Sequence, residues 1–254
     1  MVASGNDFII IDNRKKKIRE KKELAKRLCQ RKFGIGADGL LLLEPSKLAD
    51  FKMRIFNPDG SEAEMCGNGL RCMGLFLNIL KKRKIFSLET LFGIHHIEVK
   101  KKGIKVEIGV PKDLRLNLRL KIPGKETIVH FVNLGVPHTL LEVENLSEFP
   151  VNKVGKTIRF HKEFSPKGTN VDFVKVLNRH SVSIRTYERG VEEETLSCGT
   201  GVTASGFILN QIKKAGFPIK FLTSSKEELT VEKEKDSLFL TGDASLVYQG
   251  SIYG

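Results

Sequence analysis

Tryptophan is absent from this chain of 254 residues, which holds only three tyrosines and four cysteines. A nucleic-acid-binding face clusters its cations with aromatic side chains. Here the formal net charge of +13 sits largely in short runs, Arg14-Lys15-Lys16-Lys17, Lys81-Lys82-Arg83-Lys84 and Lys100-Lys101-Lys102, with few aromatics among them. These runs read as solvated surface, and no nucleic-acid partner is expected. No apolar run approaches the roughly 18 residues of a membrane span, so no membrane partner is expected either. The opening MVASGNDFIIIDN lacks a basic n-region and carries Asp7 early, unlike a signal peptide. The cysteines show no disulfide-framework spacing, which suggests a reducing compartment and a cytoplasmic protein. No Gly-Lys-Ser/Thr follows a glycine-rich run, and no GxGxxG lies in a strand–helix–strand unit, so no nucleotide cofactor is expected. Cys66 and Cys72 are too far apart for a CxxC metal or redox site.

Two short segments look like copies of one another: MCGNGLRCMG at 65–74 and SCGTGVTASG at 197–206. Each places a cysteine before Gly-polar-Gly and then enters a helix-compatible apolar stretch. A thiol before a helix start lies at the positive end of the helix dipole, beside free backbone N–H groups. That setting is expected to lower its pKa. Gly67, Gly69, Gly199 and Gly201 allow backbone to approach a ligand closely, and helix-start amides bind an anion such as a carboxylate. Two thiols could then remove a proton from an α-carbon and return it on the opposite face. A single Cys-Gly would be better read as a small buried hydrophobe; two matched copies favour a site. Cys29 and Cys72 lack glycine neighbours and read as packing residues.

The rest of the chain suggests an α+β fold with more strands than helices. Strands are expected at 8–11, 40–43 and 48–57, a helix over 20–32 and a hairpin over 94–110 turning near Gly103. Residues 111–124 read as a connection. Further strands are expected at 127–134, 138–143, 181–187, 219–223, 228–233, 238–241 and 245–249. The second cysteine helix is expected to run to about Lys214. This gives two pseudo-symmetric halves, 1–112 with Cys66 and 113–254 with Cys198. Each would be a curved, barrel-like, mostly antiparallel sheet around a central helix, with the active-site cleft between them and the last strand returning to the first half.

Asn6, Asn57 and Asn170 each sit in turn-like contexts, and singly each reads as a turn residue. His138, after Pro137, reads as a structural partner. Glu188 and Arg189, in TYERG, could pair with an ammonium and a carboxylate.

Taken together, GNDF (5–8), GIGADG (34–39), RIFNPDGSEAEMCGNGLRC (54–72), GVPH (135–138), GTNVDF (168–173), YERG (187–190) and ETLSCGTG (194–201) resemble the diaminopimelate epimerases, in order and over nearly the whole chain. The resemblance implies a cofactor-independent isomerase, with no metal, that interconverts LL- and meso-diaminopimelate for lysine and peptidoglycan synthesis. It implies Cys66 and Cys198 as the acid/base pair, with His138 and Glu188 as catalytic partners. It implies substrate contacts at Asn6, Asn57, Asn170, Glu188 and Arg189, and helix-start amides at Gly67, Asn68, Gly199 and Thr200. A small amino acid is the expected partner, and a homodimer is left open.

Several positions depart from the family pattern. Val136 stands where the family carries Asn, and Gly39 where it carries Gln. ERGVEEET is one residue longer than its counterpart, and the chain starts a few residues late, without the usual first strand and its His-Gly. Fewer amide contacts would broaden specificity, so a two-cysteine racemase acting on glutamate is the alternative reading.

Overall fold

The computed structural model describes residues 1–122 and 125–252. The chain divides into two compact units, one of residues 1–107 and 242–254, the other of residues 108–241.

The first unit is built on eight strands joined by seven pairings. β1 (Val2–Ala3) pairs antiparallel with β2 (Asn6–Asp12), and β2 lies parallel to β3 (Gly39–Glu44). The crossover between β2 and β3 carries α1 (Lys21–Cys29). β3 pairs antiparallel with β4 (Phe51–Phe56). The far edge of β4 is then divided: its Ile55–Phe56 end holds the short β5 (Glu62–Ala63), while its start holds β6 (Ile85–Glu89) in parallel. Between those two strands runs α2 (Gly67–Lys81). β7 (Ile94–Val99) and β8 (Ile104–Gly109) complete an antiparallel meander.

The second unit repeats this plan with one strand added at its start. β9 (Lys112–Ile122) and β10 (Lys125–Asn133) form a long antiparallel hairpin, and β10 pairs with β11 (Pro137–Glu142). β11 lies parallel to β12 (Asn170–Asn178), with α3 (Val151–Arg159) in the crossover. β12 pairs antiparallel with β13 (Ser181–Glu188), whose far edge is again divided between β14 (Glu193–Thr195) and a parallel β15 (Ile219–Leu222). Between these runs α4 (Gly199–Gln211). β16 (Glu228–Glu234) and β17 (Ser237–Gly242) close the series. The fold is α+β, with two α-helices packed on a mixed, mostly antiparallel sheet in each unit.

Packing follows from sequence. The run Leu40–Leu43 is fully buried because helices cover both faces of β3. Leu40 and Leu42 join Ala25 and Cys29 of α1, whereas the Leu41 methyls lie about where a Cβ on Gly69 of α2 would touch them, at 3.4 Å. Glycines late in the two cysteine motifs serve the same purpose in each half. A Cβ on Gly74 would come within 2.7 Å of Ile97 in β7, and one on Gly206 within 3.1 Å of Val231 in β16. Small residues at matching places therefore let each helix lie close on its sheet.

Five expectations change. Residues 112–122 are a strand, not a connection. α3, β6 and β12 were not foreseen. Residues 245–249 form no strand; Ser245 makes a lone bridge to Val2. α1 ends at Cys29 and α4 at Gln211, both shorter than the sequence pattern suggested. A two-residue first strand, β1, stands where the sequence suggested none.

Candidate active site

Both cysteines occupy the same structural place. Each is the N-cap residue of its helix, extended at φ −147° for Cys66 and −117° for Cys198, just where the chain leaves one end of a divided strand edge. The N-cap normally holds Ser, Thr, Asp or Asn, whose side chain accepts an orphan amide.

Cys66 follows that rule: its Sγ accepts the Gly69 N–H at 3.4 Å. The thiol lies 4.0 Å from Asn6 Oδ1, which also accepts from Asn68 Nδ2 at 3.5 Å. Asn6 is held so that its oxygen faces this way, because its Nδ2 donates to Asp38 Oδ2 at 2.8 Å. Asp38 in turn is bridged by Arg31, which also binds Asp7 in a fork. Asn68 Oδ1 accepts from the fully buried Arg71 at 2.8 Å. In this half, then, Asn6, Cys66, Gly67 and Asn68 come together. Asn57 is an exposed turn residue whose Nδ2 donates to Ser61 Oγ.

Cys198 is arranged differently. Its Sγ is turned to Thr200 Oγ1 at 3.4 Å. Thr200 Oγ1 lies 2.9 Å from His138 Nε2, and His138 Nδ1 lies 2.8 Å from Asp172 Oδ2. Asp172 Oδ1 accepts from Thr186 at 2.8 Å. Asn170 reaches His138 Nε2 with its amide nitrogen, and its Oδ1 accepts the Arg189 N–H at 2.7 Å. His138, Asn170, Arg189, Cys198, Gly199 and Thr200 are thus assembled on β11, β12, the end of β13 and the start of α4.

The electrostatics correct one expectation. The Cys198 thiol is pushed well above the ordinary cysteine range, not below it. Burial is the main cause, followed by the negative charges of Glu188 and Asp172, with the Thr200 hydroxyl pulling the other way. Desolvation overrides the helix start. Cys29, also buried, is pushed up to about 11 by burial and by the nearby Asp7 and Asp38; it packs against α1's own core as expected.

Burial likewise raises the Glu188 carboxyl above the usual range, with the Thr195 hydroxyl and His138 opposing. A carboxyl raised on folding stabilises the fold fully below its unfolded pKa and loses that contribution as pH rises through its folded pKa. Glu188→Gln should therefore melt higher than the parent at pH 8, and the gap should close near pH 4. An equal gap at both pH values would contradict the burial argument.

The structure places three departures from the family pattern. A Cβ on Gly39 would stand 3.2 Å from Phe56 O and 3.3 Å from the Phe8 ring. Glycine there lets β3 pair closely with both neighbours. Val136 is half-buried in the turn between β10 and β11, where Leu134 N donates to Val136 O. The longer ERGVEEET segment is a turn with positive φ at Gly190 (94°) and Glu192 (61°), pinned by Arg159 on Glu192. Sequence reasoning missed Asp38, Arg31, Arg71, Asp172 and Thr186. All but Arg31 lie inside motifs already singled out.

Among the described residues no cluster of three His, Cys, Asp or Glu is placed to hold a metal, and no helix is long and apolar enough to cross a membrane.

Comparison with known proteins agrees with the geometry. The diaminopimelate epimerase family profile matches residues 1–113 and 130–247. A diaminopimelate epimerase of Aquifex aeolicus is 41% identical over 98% of this chain and 95% of its own length. One from Archaeoglobus fulgidus is 39% identical over 99% and 94%. Among solved structures, a Bacillus anthracis phenazine biosynthesis protein of the PhzF family superimposes with a TM-score of 0.72 at 17% identity, covering 96% of this chain and 92% of its own. A probable proline racemase from Agrobacterium radiobacter does so at 0.72 and 16% identity, covering 95% and 88%. At such identities these two share the fold.

Proposed function

This chain belongs to the diaminopimelate epimerase family, and from that membership we infer that it inverts one α-carbon of diaminopimelate, interconverting the LL and meso forms, in lysine and peptidoglycan synthesis. The carrying observation is the match over nearly the full chain, with both cysteine motifs intact and each cysteine at a helix N-cap. The broader racemase reading is not favoured, because the racemase likeness is one of fold at 16% identity.

The chemistry follows from the groups at hand. One of Cys66 and Cys198 acts as thiolate base and the other as thiol acid, with roles exchanged by direction. Positioned proton transfer of this kind contributes about 10²–10⁴-fold. His138 and Glu188 serve as the partners that adjust the thiols' protonation. The α-proton is weakly acidic, so the charge that develops toward the carboxylate needs stabilisation. The amides of Gly67, Asn68, Gly199 and Thr200 supply it, and losing one such donor typically costs about 10²–10³ in rate. Asn6, Asn170, Glu188 and Arg189 hold the ammonium and distal carboxylate. Asn57 joins them by exchanging its Ser61 bond for the substrate. The two halves, 1–112 and 113–254, each contribute one thiol; the repeated strand plan supports that division. Four free cysteines fit the reducing cytoplasm. No step in this scheme calls on pyridoxal phosphate or a metal.

Incubating the protein with LL-diaminopimelate in D₂O tests the reading. Deuterium should enter one α-carbon as the meso form appears. Exchange confined to glutamate or proline, with diaminopimelate untouched, would overturn it.

A further inference from the structure

The parallel strand pairs of the two halves correspond in register, position by position. Phe8 of β2 stands opposite Gly39 of β3, as His138 of β11 stands opposite Asn170 of β12. Leu41 lies opposite Ile10, as Asp172 lies opposite Leu140. Where one half carries Phe8 and Leu41, the other carries His138 and Asp172. All four are buried, and His138, Asp172 and Leu41 have no measurable exposure. A buried ionic pair gains little stability over an apolar pair of similar size, and the fold itself displays the apolar alternative. Stability alone therefore does not account for the polar pair.

The hydrogen-bond network fixes the protons. Asn170 Oδ1 already accepts the Arg189 N–H, so its NH₂ group faces His138 Nε2 at 3.4 Å. A donor facing Nε2 means that Nε2 carries the lone pair and Nδ1 the hydrogen, directed at Asp172 Oδ2. Thr200 Oγ1, 2.9 Å from Nε2, then donates to it. With its hydrogen so committed, Thr200 Oγ1 accepts from the Cys198 thiol. The helix start is also shaped around the carboxylate: a Cβ on Gly201 would fall 2.3 Å from Asp172 Oδ1, whereas at the matching Gly69 it would meet only ordinary contacts at 3.4 Å and beyond.

We propose that Thr200 and His138 relay the proton of Cys198, and that Asp172 is a positioning residue which holds the imidazole in the accepting tautomer. This rests on the two-thiol reading above. As the Cys198 S–H bond breaks, its proton forms a new O–H bond on Thr200 while the former Thr200 proton forms an N–H bond on His138 Nε2. The products are a Cys198 thiolate and a His138 imidazolium facing Asp172; the reverse shift restores the thiol. No other reactant is consumed.

The test is the pH profile of cysteine modification by a small thiol reagent in the full-length protein, resolved peptide by peptide, alongside α-carbon exchange. The titratable groups facing Cys198 are Glu188 on β13, Asp172 on β12 and His138 on β11. His130 on β10 stands beside Glu142 and Lys214, and on β16 Glu228 and Glu232 alternate with the inward Leu229 and Val231. Glu188→Gln, run in parallel, isolates the Glu188 contribution. Thr200→Val and Asp172→Asn should each slow Cys198 modification near neutral pH by about tenfold and move its midpoint up by about one pH unit. Thr200→Ser should restore the parent profile, and the Cys66 profile should not move in any of them. Should Asp172→Asn fail to fold, the double variant His138→Phe with Asp172→Leu installs the pair already used in the other half and should show the same loss. Faster Cys198 modification in Asp172→Asn would mean that the carboxylate merely repels the thiolate, and an unchanged profile in Thr200→Val would remove the relay. Absence of diaminopimelate exchange in the parent would instead sink the proposed function and leave the thiol profiles to judge the relay alone.

Discussion

Cys66→Ala and Cys198→Ala should each abolish inversion of diaminopimelate, with a loss of about 10³-fold or more from removal of one positioned proton carrier. The two variants should nevertheless differ in an informative way. A protein with one thiol can still remove the α-proton from the stereoisomer that presents it, and return a deuteron on the same face. Each alanine variant should therefore retain slow deuterium wash-in without inversion from one stereoisomer, and the two variants should prefer opposite stereoisomers. They should differ in stability as well. Cys66 Sγ caps α2 by accepting the Gly69 N–H, and losing a cap costs about 1 kcal/mol. Cys198 spends its side chain on Thr200, which keeps its bond to His138 after the change. Cys66→Ala should melt below the parent and Cys66→Ser should recover the difference while remaining slow, because a hydroxyl is a far weaker acid. NMR of the exchanging α-carbon and thermal melts read both effects. Full inversion activity in either alanine variant would end the two-thiol account.

Much of this arrangement could be read from the chain because the two cysteine motifs are local. A helix start preceded by glycine-flanked cysteine announces itself within ten residues, and the N-cap positions were placed correctly. What failed was of two kinds. The strand β12 begins inside GTNVDF, where the turn-like Gly168-Thr169-Asn170 masks the apolar Val171, Phe173, Val174 and Val176 that follow. The strand β9 was misread although Leu114, Leu116, Leu118, Leu120 and Ile122 alternate with polar residues throughout; period two was present, and the lysines and arginines between obscured it. The amphipathic α3 sits between proline and a polar loop, with Gly155 in its middle, so its propensity is poor. It forms because Val151 and Ile158 close the core over Phe173 and Tyr187, and because glycine at 155 lets the helix approach the Tyr187 Cβ, which an alanine methyl would meet at 2.5 Å. The raised pKa of Cys198 is illegible in the sequence, since a helix start is a local signal while burial and the neighbouring carboxylates arrive from distant strands. Asp172 went unnoticed for the same reason: only pairing of β11 with β12 brings it to His138.

Arg71→Met should be strongly destabilising. Arg71 is the largest side chain in the fully buried set, and it lies on α2 five residues after Cys66. Its guanidinium donates to Ser4 Oγ at 2.8 Å, to Asn68 Oδ1 at 2.8 Å and, through Nε, to the Asp243 carbonyl at 3.2 Å. Those three partners are the left-handed turn at Ser4 (φ 52°) before Asn6, the polar residue of the first cysteine motif, and the returning tail. Methionine nearly matches the volume but leaves buried acceptors without donors, at about 1–3 kcal/mol each. For a chain of this size that corresponds to a melting temperature lower by about 10 °C. The loss should be local first. Val2 and Ser245 exchange a pair of backbone hydrogen bonds at 2.9 Å, and their amides should lose protection from hydrogen exchange before the β3–β4 core does. Catalysis should suffer separately. Asn68, no longer held, ceases to hold Asn6 Oδ1 toward Cys66, so KM for diaminopimelate should rise even at temperatures where the variant is folded. Arg71→Lys keeps the charge but not the fork and should fall between the two. An Arg71→Met protein with parental melting, parental protection at Val2 and Ser245, and unchanged KM would show that the buried guanidinium organises neither the tail nor the first cysteine motif.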